Sequence, residues 1–136
     1  MTGAQLAQAA HGFIGVPFRL HGRDPVAGLD CVGLLEAAFR ACGVMARLPA
    51  RYTLRSHSLP PLSGIAASLG LREARGGIEP GDVLIVRPGP CQHHLAIAAG
   101  ADRVVHAHAG LRRVVEGPLP AHWPLVRQWR LPPSRI

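Results

Sequence analysis

Apolar residues recur at intervals of three and four in two stretches near the start of the chain. Residues 3–12 carry Ala, Leu and Gln with no proline and no internal glycine, which predicts a short helix closing at Gly12. In LDCVGLLEAAFRACG, Leu34, Leu35, Ala38, Phe39 and Cys42 keep helical spacing. Asp30 is suited to cap that segment and Gly43 to follow its end, so a helix is predicted over 30–42. Its apolar positions run most of the way round, which marks a central helix rather than a surface one. Between the two lies GVPFRLHGRDPVAG, a glycine- and proline-rich turn segment. Residues 44–60 read as a loop rich in Arg, Ser and Pro, and 61–74 as a weaker helix.

From Gly81 onward the period changes. DVLIVRPG, HLAIAAG, RVVHAHAG, RRVVEGPL and PLVRQWRL are short runs rich in strand-forming residues, separated by Gly, Pro or Asp turn signals. Five strands in succession predict a meander. Helices first and an antiparallel sheet afterwards define the α+β class, in which a helix packs on a sheet that it does not alternate with. The 136 residues fit one domain spanning 1–136, with no repeats, linkers or low-complexity tracts.

Composition narrows the function classes. No stretch approaches the roughly 20 apolar residues that span a bilayer, so integral membrane association is not expected. The N-terminal MTGAQLAQAAHGF lacks a basic region followed by an apolar core, which predicts synthesis in the cytoplasm without a signal peptide. The net charge is +7, and all 15 basic residues are arginine. That balance favours anionic partners. The arginines are scattered and aromatics make up only 4% of the chain, so no base-stacking platform, and no nucleic-acid partner, is expected.

Three cysteines, Cys31, Cys42 and Cys91, are too few and too irregularly spaced for a disulfide framework. Cys31 falls in the first turn of the predicted central helix, where free N–H groups and the helix dipole favour a thiolate and a lowered pKa. Cys42, in mid-segment, suits a packing role. His94 opens one strand run and His106 lies in the next, so a hairpin between them brings the two rings side by side, about 5 Å apart. A cysteine at a helix N-terminus facing two adjacent histidines supplies an attacker, a base and a group that orients the base. Strand alternation sends His93 to the face opposite His94, so only one of the two is expected to face the thiol. His108 shares a face with His106 and is expected to be a partly exposed sheet histidine. Gly33 is expected to let the helix approach the sheet closely. The C-x-H-H and H-x-H spacings could also supply zinc ligands, but C-x₂-C pairs and neighbouring carboxylates are missing.

GFIGVPFRLHGRDPVAGLDCVGLL resembles the G-T-P-Y-x-x-G-G…G-x-D-C-S-G-L block of the NlpC-type cell-wall peptidases, a papain-like cysteine peptidase family. GDVLIV, HLAIAAG and VVHAHAG are similar to that family's later segments, in the same order, so the likeness runs from about Gly12 to Val115. The resemblance implies a papain-like fold with Cys31 as nucleophile, His94 as base and His106 as the residue that orients it. It implies no metal and no cofactor. Two positions depart from the family pattern. Phe18 stands where a tyrosine is usual and cannot donate a hydrogen bond to a developing oxyanion. Val32 stands where a serine helps some members to bind a free substrate amine, whereas Asp30 keeps the neighbouring carboxylate. Asp30, Phe18 and Val32 are therefore the expected substrate-binding positions.

These readings predict a thiol-dependent hydrolase that cleaves amide bonds in peptidoglycan peptides. The resemblance to short members of the family adds the expectation of a phage-tail or gene-transfer-agent-like component, carried to the cell wall in a particle with tail or particle proteins as partners. The competing readings are a catalytically weakened interaction or structural module of such a particle, and a different amide or acyl transfer on the same scaffold.

Overall fold

A computed structural model describes residues 1–48, 63–90 and 92–133. Helix α1 spans Gly3–His11 and α2 Cys31–Ala41. A capping box starts α1, with Thr2 Oγ1 accepting from Gln5 N at 3.2 Å and Gln5 Oε1 accepting from Thr2 N at 2.8 Å. Asp30 caps α2 as expected, and Gly43 follows it with φ of +89°, a left-handed turn that glycine adopts without strain. Every residue from Val32 to Phe39 is buried, so α2 is central. The single charge on that stretch, Glu36, is paired with Arg23 at 2.8 Å and accepts from Leu48 N at 2.8 Å.

The turn segment between the helices contains a small hairpin, β1 (Arg23–Asp24) with β2 (Gly28–Leu29). The weaker helix expected over 61–74 shortens to α3 (Ser63–Ser68), followed by a two-residue strand, β3 (Arg72–Glu73). Positions 61 and 62, most of the expected 44–60 loop with Arg51, Arg55 and His57, and Cys91 lie outside the described residues.

All five predicted strand runs form strands: β4 (Val83–Gly89), β5 (Gln92–Ala98), β6 (Arg103–His108), β7 (Arg113–Pro118) and β8 (Leu125–Arg130). Their order corrects the simple meander. β4 to β7 do run in sequence, but β8 returns to pair with β4, and β3 pairs with β8, giving the antiparallel order β3-β8-β4-β5-β6-β7. A long return to the far side of β4 leaves no trace in hydrophobic spacing, because pairing partners are not encoded by a strand's own period.

The helices cover one face of the sheet. Leu6, Leu34 and Phe39 pack there with Val83, Ile85, Leu95, Ile97, Val105 and Val114 in the main core. Leu84, Ala96, Ala98 and Val104 form a smaller cluster on the other face. This is the expected α+β arrangement of a helix on a sheet. No helix among the described residues is long and apolar enough to cross a membrane.

Candidate active site

Cys31 is the first residue of α2, and the residue before it fixes where the helix begins. Asp30 Oδ1 accepts from Gly33 N at 2.7 Å, and Oδ2 accepts from His21 N at 3.0 Å. The carboxylate thus ties the first helical turn to the preceding loop, where His21 is held at φ of +59°. Gly33 is close-packed, but not against the sheet. A Cβ there would collide with the Gly22 carbonyl oxygen and lie 3.1 Å from the Gly22 carbonyl carbon. The close approach is between the helix start and the loop that Asp30 binds.

Phe18 is laced into the same region. Its N–H donates to Arg112 O at 2.9 Å, and the flanking Arg19 N–H and Pro17 O bond to Leu29. Its ring packs against the main core and lines the cleft beside Cys31. Val32 also borders the cleft, although its side chain is buried in the core.

On the sheet, His94 Nε2 and His106 Nδ1 are 2.8 Å apart, with ring centroids separated by 4.9 Å. The hairpin expectation therefore holds. The β5–β6 ladder pairs Ile97 with Val105 and Ala98 with Val104, which makes His94 and His106 a diagonal rather than a directly opposed pair. The row continues to His108, whose ring centroid is 5.4 Å from that of His106. His108 Nδ1 accepts from Leu111 N at 3.0 Å, so a neutral His108 carries its proton on Nε2. Trp123 stands edge-on to both His94 and His106, at 5.8 and 6.0 Å between centroids. It belongs to no periodic run, only to the AHWP turn before β8, so no sequence pattern singled it out.

These groups line one cleft of about 380 Å³, with Cys31, Asp30 and Phe18 on one side and His94, His106 and Trp123 on the other. Among the described residues no hydrogen bond joins Cys31 to His94. His93 lines the same cleft, which corrects the expectation that alternation would turn it away. The physical reason is a bulge. Val86 pairs with His94 and Gly89 with Gln92, so Arg87 and Pro88 oppose the single residue His93. Such a bulge adds twist and re-aims side chains where regular pairing ends. His93 keeps the parity of Leu95 and Ile97, on the side of α2, and still lines the cleft.

Electrostatics correct a second expectation. Burial pushes the Cys31 thiol up to about 12, outweighing the amides of Leu95, Val32 and Cys31 that favour the thiolate, while the Asp30 charge adds to the rise. The helix start alone does not lower it. Burial likewise holds His94 down to about 3, with His106 and His108 adding to the effect, and His106 down to about 4, with His108 adding to it. The resting state is a neutral thiol facing neutral imidazoles. For His94 to accept a proton on Nδ1, its Nε2 must carry the hydrogen and donate it to His106 Nδ1. A proton passed from Cys31 to that nitrogen would keep the pair neutral overall, and the backbone amides of Leu95, Val32 and Cys31 favour the thiolate. Among the described residues, no group of three or more His, Cys, Asp and Glu is placed to hold a metal ion.

A cysteine at the start of a central helix, lining one cleft with a hydrogen-bonded histidine pair on an antiparallel sheet, is the arrangement of the papain-like cysteine peptidases, enzymes of the hydrolase class. The chain belongs to the NlpC/P60 family, whose model matches residues 15–123. Among solved structures it is similar to the NlpC/p60 domain of the peptidoglycan hydrolase SagA, at 22% identity and a TM-score of 0.66 over 94% of this chain and 97% of that one. An NlpC/P60 family protein from Bacillus cereus matches at 19% identity and a TM-score of 0.67, over 98% of this chain and 41% of its own length. The peptidoglycan hydrolase RipB from Mycobacterium tuberculosis matches at 19% and 0.57, over 94% of this chain and 63% of its own. The chain thus spans less than two thirds of the last two. At these identities the structural likeness is one of fold. No curated protein matches the sequence at a significant level.

Proposed function

We propose that this chain cleaves an amide bond in bacterial cell-wall peptides, with Cys31 as nucleophile, His94 as general base and acid, and His106 orienting His94. The observation that carries this reading is the His94–His106 hydrogen bond of 2.8 Å on the wall of the cleft into which Cys31 opens from the α2 start. The Cys31 sulfur bonds to the scissile carbonyl carbon as its proton passes to His94 Nδ1. The amide C–N bond then breaks, and His94 returns the proton to the departing nitrogen. Water, deprotonated by the same imidazole, attacks the thioester and releases a carboxylic acid and free Cys31. The imidazolium that forms twice in this cycle is supported by its Nε2–H bond to His106. The Cys31 backbone N–H is one donor for the oxyanion.

Two structurally similar proteins are peptidoglycan hydrolases, which supports this substrate class. More finely, we read the bond as a link between D-glutamate and a diamino acid, and the enzyme as a component of a phage-tail or gene-transfer-like particle. Both finer readings rest on the motif resemblance, and the genes flanking this one test the second. The test of the activity is incubation with peptidoglycan fragments and detection of new amine ends. Release by the native protein and none by Cys31→Ala is expected. Equal release, or none by either, refutes the reading.

A further inference from the structure

His93 lines the cleft, is left unused by the proposed reaction and has no hydrogen-bond partner among the described residues. It is 7% exposed, and its Nδ1 is enclosed with no hydrogen-bond partner among the described residues. In a neutral ring one nitrogen carries the proton. An orphaned buried N–H is rarer in proteins than an acceptor left short of a donor, so the proton belongs on Nε2. That nitrogen also lacks a protein partner, and the ring lines the cleft. His93 therefore presents a fixed N–H donor to whatever fills the space beside Cys31.

The rest of the lining says what that occupant offers in return. Asp30 is the sole carboxylate there among the described residues, and both its oxygens are already engaged by the amides of Gly33 and His21. Val32, Phe18, Leu20 and Pro88 bring apolar surface. Among the described residues no acceptor is bonded to the His93 donor, so an occupant of the cleft can supply one. An anionic oxygen is the best match, because a hydrogen bond to a charged partner is about twice as strong as a neutral one and no free negative charge in the cleft opposes it.

We propose that His93 is a specificity-determining residue whose Nε2–H binds a carboxylate of the substrate peptide next to the scissile amide. This inference rests on the proposed peptidase reading. The bulge opposite His93 is what delivers the ring to the cleft from the core side of β5, and the enclosed Nδ1 is what fixes the direction of its donor.

The experiment measures binding separately from cleavage. On the Cys31→Ala background, titration calorimetry at pH 7.5 compares two probes: L-alanyl-γ-D-glutamyl-diaminopimelate and the same peptide with its glutamyl α-carboxylate amidated. His93→Phe keeps a ring without the donor, and His93→Gln restores an N–H close to the Nε2 position. The carboxylate peptide should lose roughly 10- to 100-fold in affinity with His93→Phe and regain most of it with His93→Gln, while the amidated peptide changes less than threefold. Equal losses for both peptides, unchanged affinity in His93→Phe, or no binding of the carboxylate peptide to a folded His93 protein overturns the proposal. In the Cys31 protein, His93→Phe should raise KM with kcat within about threefold. Should the native protein cleave nothing while the binding contrast holds, the peptidase reading fails and the carboxylate site stands.

Discussion

Replacing Gly33 by alanine sets two physical effects of opposite sign against each other. Glycine inside a helix costs up to about 1 kcal/mol relative to alanine, so propensity alone predicts that Gly33→Ala stabilises the protein. The structure predicts the reverse. The added methyl would run into the Gly22 carbonyl oxygen and sit 3.1 Å from its carbon, and both are backbone atoms rather than the tip of a flexible side chain. Gly22 has little freedom to retreat, since its N–H is bonded to Arg19 O at 2.7 Å and its carbonyl accepts from Asp30 N at 3.3 Å. Overpacking of this kind costs about 1–3 kcal/mol, and where backbone meets backbone the upper part of that range applies. Net of propensity, a loss of about 2 kcal/mol follows. The strain is relieved only by moving the first turn of α2, which carries Cys31. A displacement of about 1 Å at a reacting atom costs on the order of 100-fold in kcat/KM. Urea denaturation and steady-state kinetics on a cell-wall peptide measure the two effects. Gly64→Ala is the control, because a Cβ on that α3 residue meets nothing within 4 Å and should be neutral or stabilising. A Gly33→Ala protein as stable as the native one, with kcat/KM within twofold, refutes the close-approach argument.

Four further outcomes follow from the site. Because burial holds His94 down to about 3, its imidazole stays neutral in mild acid, and the acid limb of kcat/KM should fall well below pH 6.5; half-loss of activity near pH 6.5 contradicts this. The same depression, shared by His106, makes the unfolded chain bind more protons below about pH 6.5, so stability measured by urea titration should drop as pH falls from there toward 4. Iodoacetamide should label Cys31 slowly at pH 6 and faster at each step toward pH 9, and a rate already level at pH 6 would mean a resting thiolate. Phe18→Tyr should raise kcat by up to ~10-fold if an oxyanion donor is missing at that position, and an unchanged kcat in an equally stable variant refutes the idea.

The elements that were legible in the sequence are those specified by neighbours along the chain. Asp30, Gly43 and the spacing from Leu34 to Phe39 mark α2 locally, and each strand from β4 to β8 is bounded by its own turn residues. What escaped is specified by contacts between distant segments. β3 is two residues long and gains its identity only by pairing with β8, so its stretch reads as helix. The return of β8 to β4 and the bulge opposite His93 are properties of paired strands. For the same reason His93 was read as pointing away, and Trp123, in a turn, was not read at all. Gly33 was recognised as a close approach, but its partner, Gly22, belongs to a loop whose path the sequence leaves open.

The thiol shows the same division between local and distant causes in energetic form. A helix N-terminus is visible in the sequence and contributes about 0.3–1 kcal/mol toward an anion at an exposed site. The enclosure of Cys31 comes from β5 and the Phe18 loop, and it acts in the opposite direction with greater weight, since moving an unpaired charge out of water is costly. On the proposed mechanism burial does not prevent the chemistry but sets its timing: thiolate and imidazolium are costly separately and tolerable together, so the charge pair would form when a carbonyl is there to receive the electron pair. The arginines stand outside this arrangement. Among the described residues no arginine lines the cleft, so on the proposed reading the positive charge acts at long range, on the encounter with an anionic substrate. Under that reading attraction and reaction fall on different parts of the surface, and a screening salt should weaken the first without disturbing the proposed proton transfer between Cys31 and His94.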